Sequence, residues 1–240
     1  MDLHLPLLWQ IGQLVVNEPR GLVLLRLILM GAPGSGKGTQ AELLVEQFGI
    51  LHISTGEMLR DAIDHRTDLG GLVEPYMALG RLVPDHHVIS VVEDRLGQPD
   101  IEAGFILDGF PRTLRQVYAM DELMEGQGLT LDGVIVIDVS EETVVERTSG
   151  RRVDPETGKI FNLNAEGVRP PAEILSRLEQ RDDDSEEVIR QRMASYHNET
   201  DPAVEEYAQR GQLIRIDGSA APDAVFDELR RRLESVEQGS

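Results

Sequence analysis

Lys37 sits in the run Gly31-Ala32-Pro33-Gly34-Ser35-Gly36-Lys37-Gly38-Thr39, and those residue types at that spacing point to the binding of a polyphosphate. Glycine lets backbone N–H groups approach phosphate oxygens that a side chain would hold off. Lys37 adds a full positive charge for β- and γ-phosphates, and a hydroxyl just after it suits a Mg²⁺ ion carried by them. That hydroxyl is Thr39; Gly38 intervenes where the common pattern has Ser or Thr directly after the lysine. The flanks suit the mechanism too. Leu27 to Met30 is an apolar run that predicts a buried strand, and Gln40 to Phe48 predicts a helix with a positive dipole end and unpaired N–H groups at its start. A nucleoside triphosphate site follows, with Gly34, Ser35, Gly36, Lys37, Gly38 and Thr39 around the phosphates.

Composition sharpens the question of cations. The formal net charge is -20, and no basic stripe of the kind that nucleic acid needs is present. Lys37 and Lys159 are the only lysines, so arginine supplies the other cations and its placement matters. There is no cysteine, which excludes disulfides and thiolate metal sites. At 240 residues the chain can bury one sizeable core with room for insertions. Leu3 to Val16 is apolar but broken by Pro6, Gln10, Gly12 and Gln13. It is too short to span a bilayer and lacks the basic start and cleavage site of a secretory signal. Residues 1–24 are therefore read as an N-terminal extension without assigned function.

The elements that must position these residues alternate in type. Further strands are predicted at 50–53, 104–108, 134–138 and 213–217. Helices are predicted from Glu57 to His65 with Thr55 as cap, Asp68 to Leu79, and from Pro84 with Asp85 as cap. Others are expected at 113–125, 141–149 with Ser140 as cap, 186–200 with Ser185 as cap, 202–210 and 223–236. The histidines show no metal spacing and read as surface or core residues. Arg151 to Arg181 interrupts the rhythm with two short β segments and an irregular stretch, which reads as functional or mobile. Five strands alternating with helices argue for a parallel sheet with helices on both faces and ligand at the carboxyl ends.

At this point the chain resembles the adenylate kinases among the nucleoside monophosphate kinases. The residues that carry the resemblance are the loop Gly31 to Thr39, Ser54-Thr-Gly-Glu-Met-Leu-Arg60, Gly80-Arg-Leu-Val83, Leu107-Asp-Gly-Phe-Pro-Arg-Thr113, Gly150-Arg-Arg-Val153, and Arg181-Asp-Asp-Asp184 through Arg192. The resemblance implies an α/β fold of P-loop NTPase type, a five-stranded parallel sheet with two insertions. Residues 25–53, 84–149 and 185–240 would form the core, 54–83 the monophosphate-binding domain and 150–184 the lid.

It also implies roles. Thr55, Arg60, Arg81, Leu82, Val83, Gly109, Phe110, Pro111, Arg112 and Gln116 would surround AMP, with Gln116 reading the adenine edge. Arg147, Arg151, Ile160, Phe161 and Ala220 would meet ATP. Lys37, Arg112, Arg147, Arg151, Arg181 and Arg192 would form the catalytic ring of cations, Arg181 and Arg192 on the AMP side. Asp108 would hold Mg²⁺ through water, with Thr39. Asp183 and Asp184 would pair with lid arginines. Many long-lid relatives hold the lid with zinc on cysteines; with none here, no structural zinc is expected. The resemblance implies ATP, AMP and ADP as ligands, a cytoplasmic monomer, and neither membrane nor nucleic acid as partner. A kinase for another monophosphate, such as UMP or CMP, is the alternative. A nucleotide switch of GTPase type would need an Asn/Lys-x-Asp base-reading signature, which is absent.

Overall fold

A computed structural model describes residues 25–164 and 169–237. The expectation for residues 1–24, and residues 165–168 of the expected lid, lie outside them. In chain order, β1 (Arg26–Gly31) runs through the glycine loop into α1 (Lys37–Phe48), followed by β2 (Leu51–Ser54), α2 (Thr55–Asp64), α3 (Asp68–Ala78) and α4 (Asp85–Leu96). Then come β3 (Phe105–Asp108), α5 (Leu114–Gly126), β4 (Gly133–Asp138), α6 (Glu141–Gly150), β5 (Arg151–Val153), β6 (Ile160–Asn162) and α7 (Ala172–Leu175). The chain closes with α8 (Glu186–Ser195), α9 (Asp201–Gln209), β7 (Leu213–Asp217) and α10 (Pro222–Glu237).

The main sheet has the order β2-β3-β1-β4-β7, and every neighbouring pair is parallel. Because successive strand residues point to opposite faces, each strand feeds two cores. From β1, Ile28 and Met30 join Phe105, Leu107, Val134 and residues of α4, α5 and α9. Leu27 and Leu29 join Ile106, Ile135, Ile137 and residues of α1 and α10 on the other face. Burial on both faces explains the continuous apolar runs read from the sequence. The register sets Leu29 beside Asp108, so the glycine loop and the Asp108 carboxylate emerge together at the carboxyl edge.

Three local expectations are corrected. Ser54, not Thr55, caps α2: its hydroxyl accepts from Glu57 N at 3.4 Å, while Thr55 Oγ1 donates to Asp108 O at 3.3 Å. Asp85 does not cap α4 but turns its carboxylate to α5. The helix expected over 186–200 is α only as far as Ser195 and continues as a π-helical turn, Tyr196–Thr200, into α9.

Candidate active site

The loop between β1 and α1 is shaped by its glycines. Gly34 adopts φ 74°, and a Cβ there would lie 2.5 Å from Thr148 Oγ1, so both conformation and space require glycine. Ala32 O accepts from Ser35 N at 3.1 Å, which tightens the turn. Lys37 reaches back into the loop, its ammonium donating to Gly31 O at 2.8 Å and Ala32 O at 2.9 Å. Burial lowers its pKa to about 8 against the opposing pull of Asp108. Thr39 is exposed in the first turn of α1.

Asp108 closes β3 beneath this loop. Burial alone would raise its pKa, yet His52, Lys37 and Arg112 outweigh that and hold it below the usual carboxylate range. His52 Nε2 lies 3.6 Å from Asp108 Oδ2, an ion-pair distance too long for a hydrogen bond. Burial works against the imidazolium, but Asp108 raises its pKa overall. The sequence reading missed His52 because only the β2–β3 pairing brings it to Asp108.

A cleft opens above Asp108 between β1, α2, α3, α5 and α8. It gathers Lys37, Thr55, Arg60, Gly109, Pro111, Arg112, Gln116 and Arg192, with Arg81, Leu82 and Val83 at one end. Gly109, with φ 83°, lets the chain pass closely: a Cβ there would meet Thr55 Oγ1 at 2.8 Å and Arg112 at 2.9 Å. Arg112 Nε donates to Gly109 O at 2.7 Å, and the Arg60 guanidinium lies over Gly56. Phe110 is the correction here: its side chain is fully buried in the core and not among the residues lining the cleft. Ser195, Tyr196 and Thr200 do line it, at the π-helical turn. No sequence signal marks that turn, although such bulges recur at functional sites.

The cleft is strongly cationic although the protein is acidic. Its lining carries Lys37, Arg60, Arg81, Arg112 and Arg192 against one carboxylate, Asp183. Burial lowers Arg192 to about 10 and pulls Arg112 down as well. Arg181 is also lowered to about 10, first by burial and then by repulsion from Arg60 and Arg151. Asp183 is held below its ordinary value because Arg192, Arg60 and Arg151 outweigh its burial. A desolvated cluster of like charges is stabilised by an anion entering it.

The remaining predicted residues, Arg147, Arg151, Ile160, Phe161, Arg181 and Ala220, do not line the cleft. Arg147 donates to Ser35 O at 3.3 Å and Ser219 O at 3.5 Å, drawing the segment that holds exposed Ala220 towards the glycine loop. Ile160 Cδ1 lies 4.0 Å from where a Gly38 Cβ would stand, and Lys159 lies 5.7 Å from the Phe161 ring centroid. Arg151 makes a two-pronged pair with Asp184, its Nε donating at 2.8 Å. The expected pairing of Asp183 with a lid arginine differs: Asp183 accepts from Arg192 of α8 at 2.8 Å.

The antiparallel pair β5–β6 is tied by charge. Asp154, fully buried, accepts from Arg177 Nε at 2.7 Å, Arg177 Nη2 at 2.6 Å, Thr157 Oγ1 at 2.8 Å and Glu156 N at 3.1 Å. Arg177 holds its carboxyl well below the usual range. Val153 and Glu179 exchange backbone hydrogen bonds at 2.8 and 2.9 Å, closing the same unit. Arg177 carried no motif signal. Among the described residues no three His, Cys, Asp or Glu side chains cluster to hold a metal.

A glycine loop, a carboxylate on the adjacent strand and a set of half-buried cations define a phosphate-transfer class of site on a parallel sheet. A family model described as adenylate kinase matches residues 29–212. The chain is 44% identical over 217 residues to an adenylate kinase of Kosmotoga olearia, covering 88% of this chain and 100% of that one. It is 43% identical to those of Archaeoglobus fulgidus, over 88% of this chain and 99% of the relative, and Streptomyces coelicolor, over 89% and 99%. The chain belongs to the adenylate kinase family.

Proposed function

We propose that this member of the adenylate kinase family carries the terminal phosphoryl group of Mg·ATP to AMP, reversibly, giving two ADP, with the cleft as the AMP and transfer site. The supporting observation is the concentration of largely half-buried cations in that cleft on a chain of net charge -20. An AMP phosphate oxygen is already ionised, so no general base is required. The oxygen attacks the γ-phosphorus while the bond to the β-phosphate oxygen breaks. Charge spreads over the equatorial oxygens, so the work of the protein is positioning and cations.

On this reading the loop N–H groups of Gly34 to Thr39 cradle the β- and γ-phosphates, and Lys37 exchanges its two carbonyl partners for phosphate oxygens. Arg112, Arg181 and Arg192 hold the AMP phosphate and the transferred group, and Arg147 and Arg151 the ATP side. The planar arginine fork suits this because it binds phosphate through two parallel hydrogen bonds. Thr55 and Arg60 hold AMP, and Gln116 reads its base. Ile160, Phe161 and Ala220 border the ATP base. Thr39 and Asp108 offer hydroxyl and ionised carboxylate oxygens, the donor set Mg²⁺ takes beside phosphates. The bound ion neutralises phosphate charge. Residues 54–83 and 150–184 act as the moving domains, excluding water that would compete with AMP. Among the described residues no helix is long and apolar enough to cross a membrane; a cytoplasmic monomer fits this reading.

Coupled ADP-formation assays with AMP, UMP, CMP and GMP test the reading, and AMP is expected to dominate kcat/KM. A preference for a pyrimidine would overturn it. Lys37→Ala is expected to lower kcat at least about 10³-fold, as for loss of transition-state cations, with an unchanged thermal transition. Arg60→Ala is expected to raise the KM for AMP and spare that for ATP; the reverse would mean the two sites are exchanged.

A further inference from the structure

A glutamine amide facing a base is ambiguous by itself. Its oxygen and nitrogen ends are nearly equal in shape, and a flip exchanges acceptor and donor. Adenine presents an acceptor at N1 beside a donor at N6. Hypoxanthine presents the transposed pair, a donor at N1 and an acceptor at O6. An amide free to flip would serve both bases.

Gln116 is not free to flip. It is 1% exposed, lines the cleft, and is held from both ends. Its Oε1 accepts from Arg112 N at 2.7 Å, and a backbone N–H can only donate. Its Nε2 donates to Asp85 Oδ1 at 2.8 Å, and a carboxylate oxygen accepts. The same Asp85 oxygen accepts from Thr113 Oγ1 at 3.0 Å. That hydroxyl in turn accepts from Gln116 N at 3.2 Å as the cap of α5, so its proton points to Asp85. One lone pair on Oε1 and one N–H on Nε2 remain, and these match N6 and N1 of adenine.

We infer that Asp85, which does not itself line the cleft, is the positioning residue that fixes the Gln116 amide and thereby makes the monophosphate site select a 6-amino purine over a 6-oxo purine. This rests on the reading above that Gln116 meets the base. It also explains why the carboxylate at the start of α4 leaves its own helix uncapped and serves α5 instead.

The experiment measures kcat/KM for AMP and for IMP, with ATP as donor, in the wild type, Asp85→Ala, Asp85→Asn and Gln116→Ala. In Asp85→Ala the AMP-to-IMP ratio is expected to fall by about tenfold or more, on the scale of one mispaired polar group, while the KM for ATP stays within about twofold. Asp85→Asn, whose own amide can turn with a flipped Gln116, is expected to give a smaller fall in the same direction; it carries the test should Asp85→Ala not fold. A ratio within about twofold of wild type in the Asp85 variants, or equal losses for AMP and IMP, overturns the inference. Gln116→Ala separates the two levels. If it leaves the ratio intact, the base-reading role of Gln116 fails; if it collapses the ratio while the Asp85 variants do not, only the role of Asp85 fails.

Discussion

Lys37 illustrates how burial sets the chemistry of a single side chain. Its pKa of about 8 reflects lost hydration, and nearby phosphates would reverse that shift. The sign follows: the free protein loses this charge as pH rises through about 8, whereas a complex with ATP phosphates at Lys37 should keep it. ATP binding should therefore take up a proton increasingly from pH 7 towards pH 9. Affinity should weaken by up to about tenfold per pH unit above 8. Calorimetry in buffers of different ionisation enthalpy checks this; Lys37→Met should abolish the uptake, and equal uptake in that variant would contradict the assignment. At this scale the sequence was informative where residue type alone decides. A glycine loop with one lysine has few other uses, and Arg112 and Arg192 do reach the cleft. Asp85, His52 and Arg177 were opaque because each acquires its role from a partner 23 or more residues away, across elements whose register no local pattern states.

At the scale of elements, the β5–β6 unit shows how a small substructure is held without a core of its own. Asp154 has no exposure and relies on Arg177 and Thr157. Because its folded pKa is depressed, its contribution is complete above the ordinary carboxylate range, near pH 4, and is lost only as pH falls through the depressed value. Arg177→Met would leave a buried carboxylate without its cation. The unit should then loosen near neutral pH, where that carboxylate is ionised, the KM for ATP should rise several-fold, and limited proteolysis should cut first between residues 150 and 184. Unchanged cleavage and KM would show that packing alone holds the unit. The five parallel strands were legible from their apolar runs, since both faces of the sheet are buried. Caps were less so: Ser54 and Thr55 are chemically alike, and the choice fell to Thr55's bond with Asp108 O. The π-helical turn at Tyr196–Thr200 leaves no trace in a 3.6-residue pattern.

For the whole molecule, the arrangement is an electrostatic inversion. A strongly acidic chain draws Lys37, Arg60, Arg112 and Arg192 into one cleft at the carboxyl edge, with Arg151 joined to Arg192 through Asp184 and Arg181 within the electrostatic reach of Asp183 and Asp184. Asp183 and Asp184 pair with Arg192 and Arg151, which orients the guanidinium groups. That order lowers the cost of assembling the cations during reaction. The most direct measurement is a crystal structure with diadenosine pentaphosphate, which carries both adenosines on one phosphate chain. The account predicts that chain running from the Gly34–Thr39 amides past Lys37 to Arg112 and Arg192, with one adenine against Gln116. A chain bound elsewhere, with those guanidinium groups turned to solvent, would contradict it.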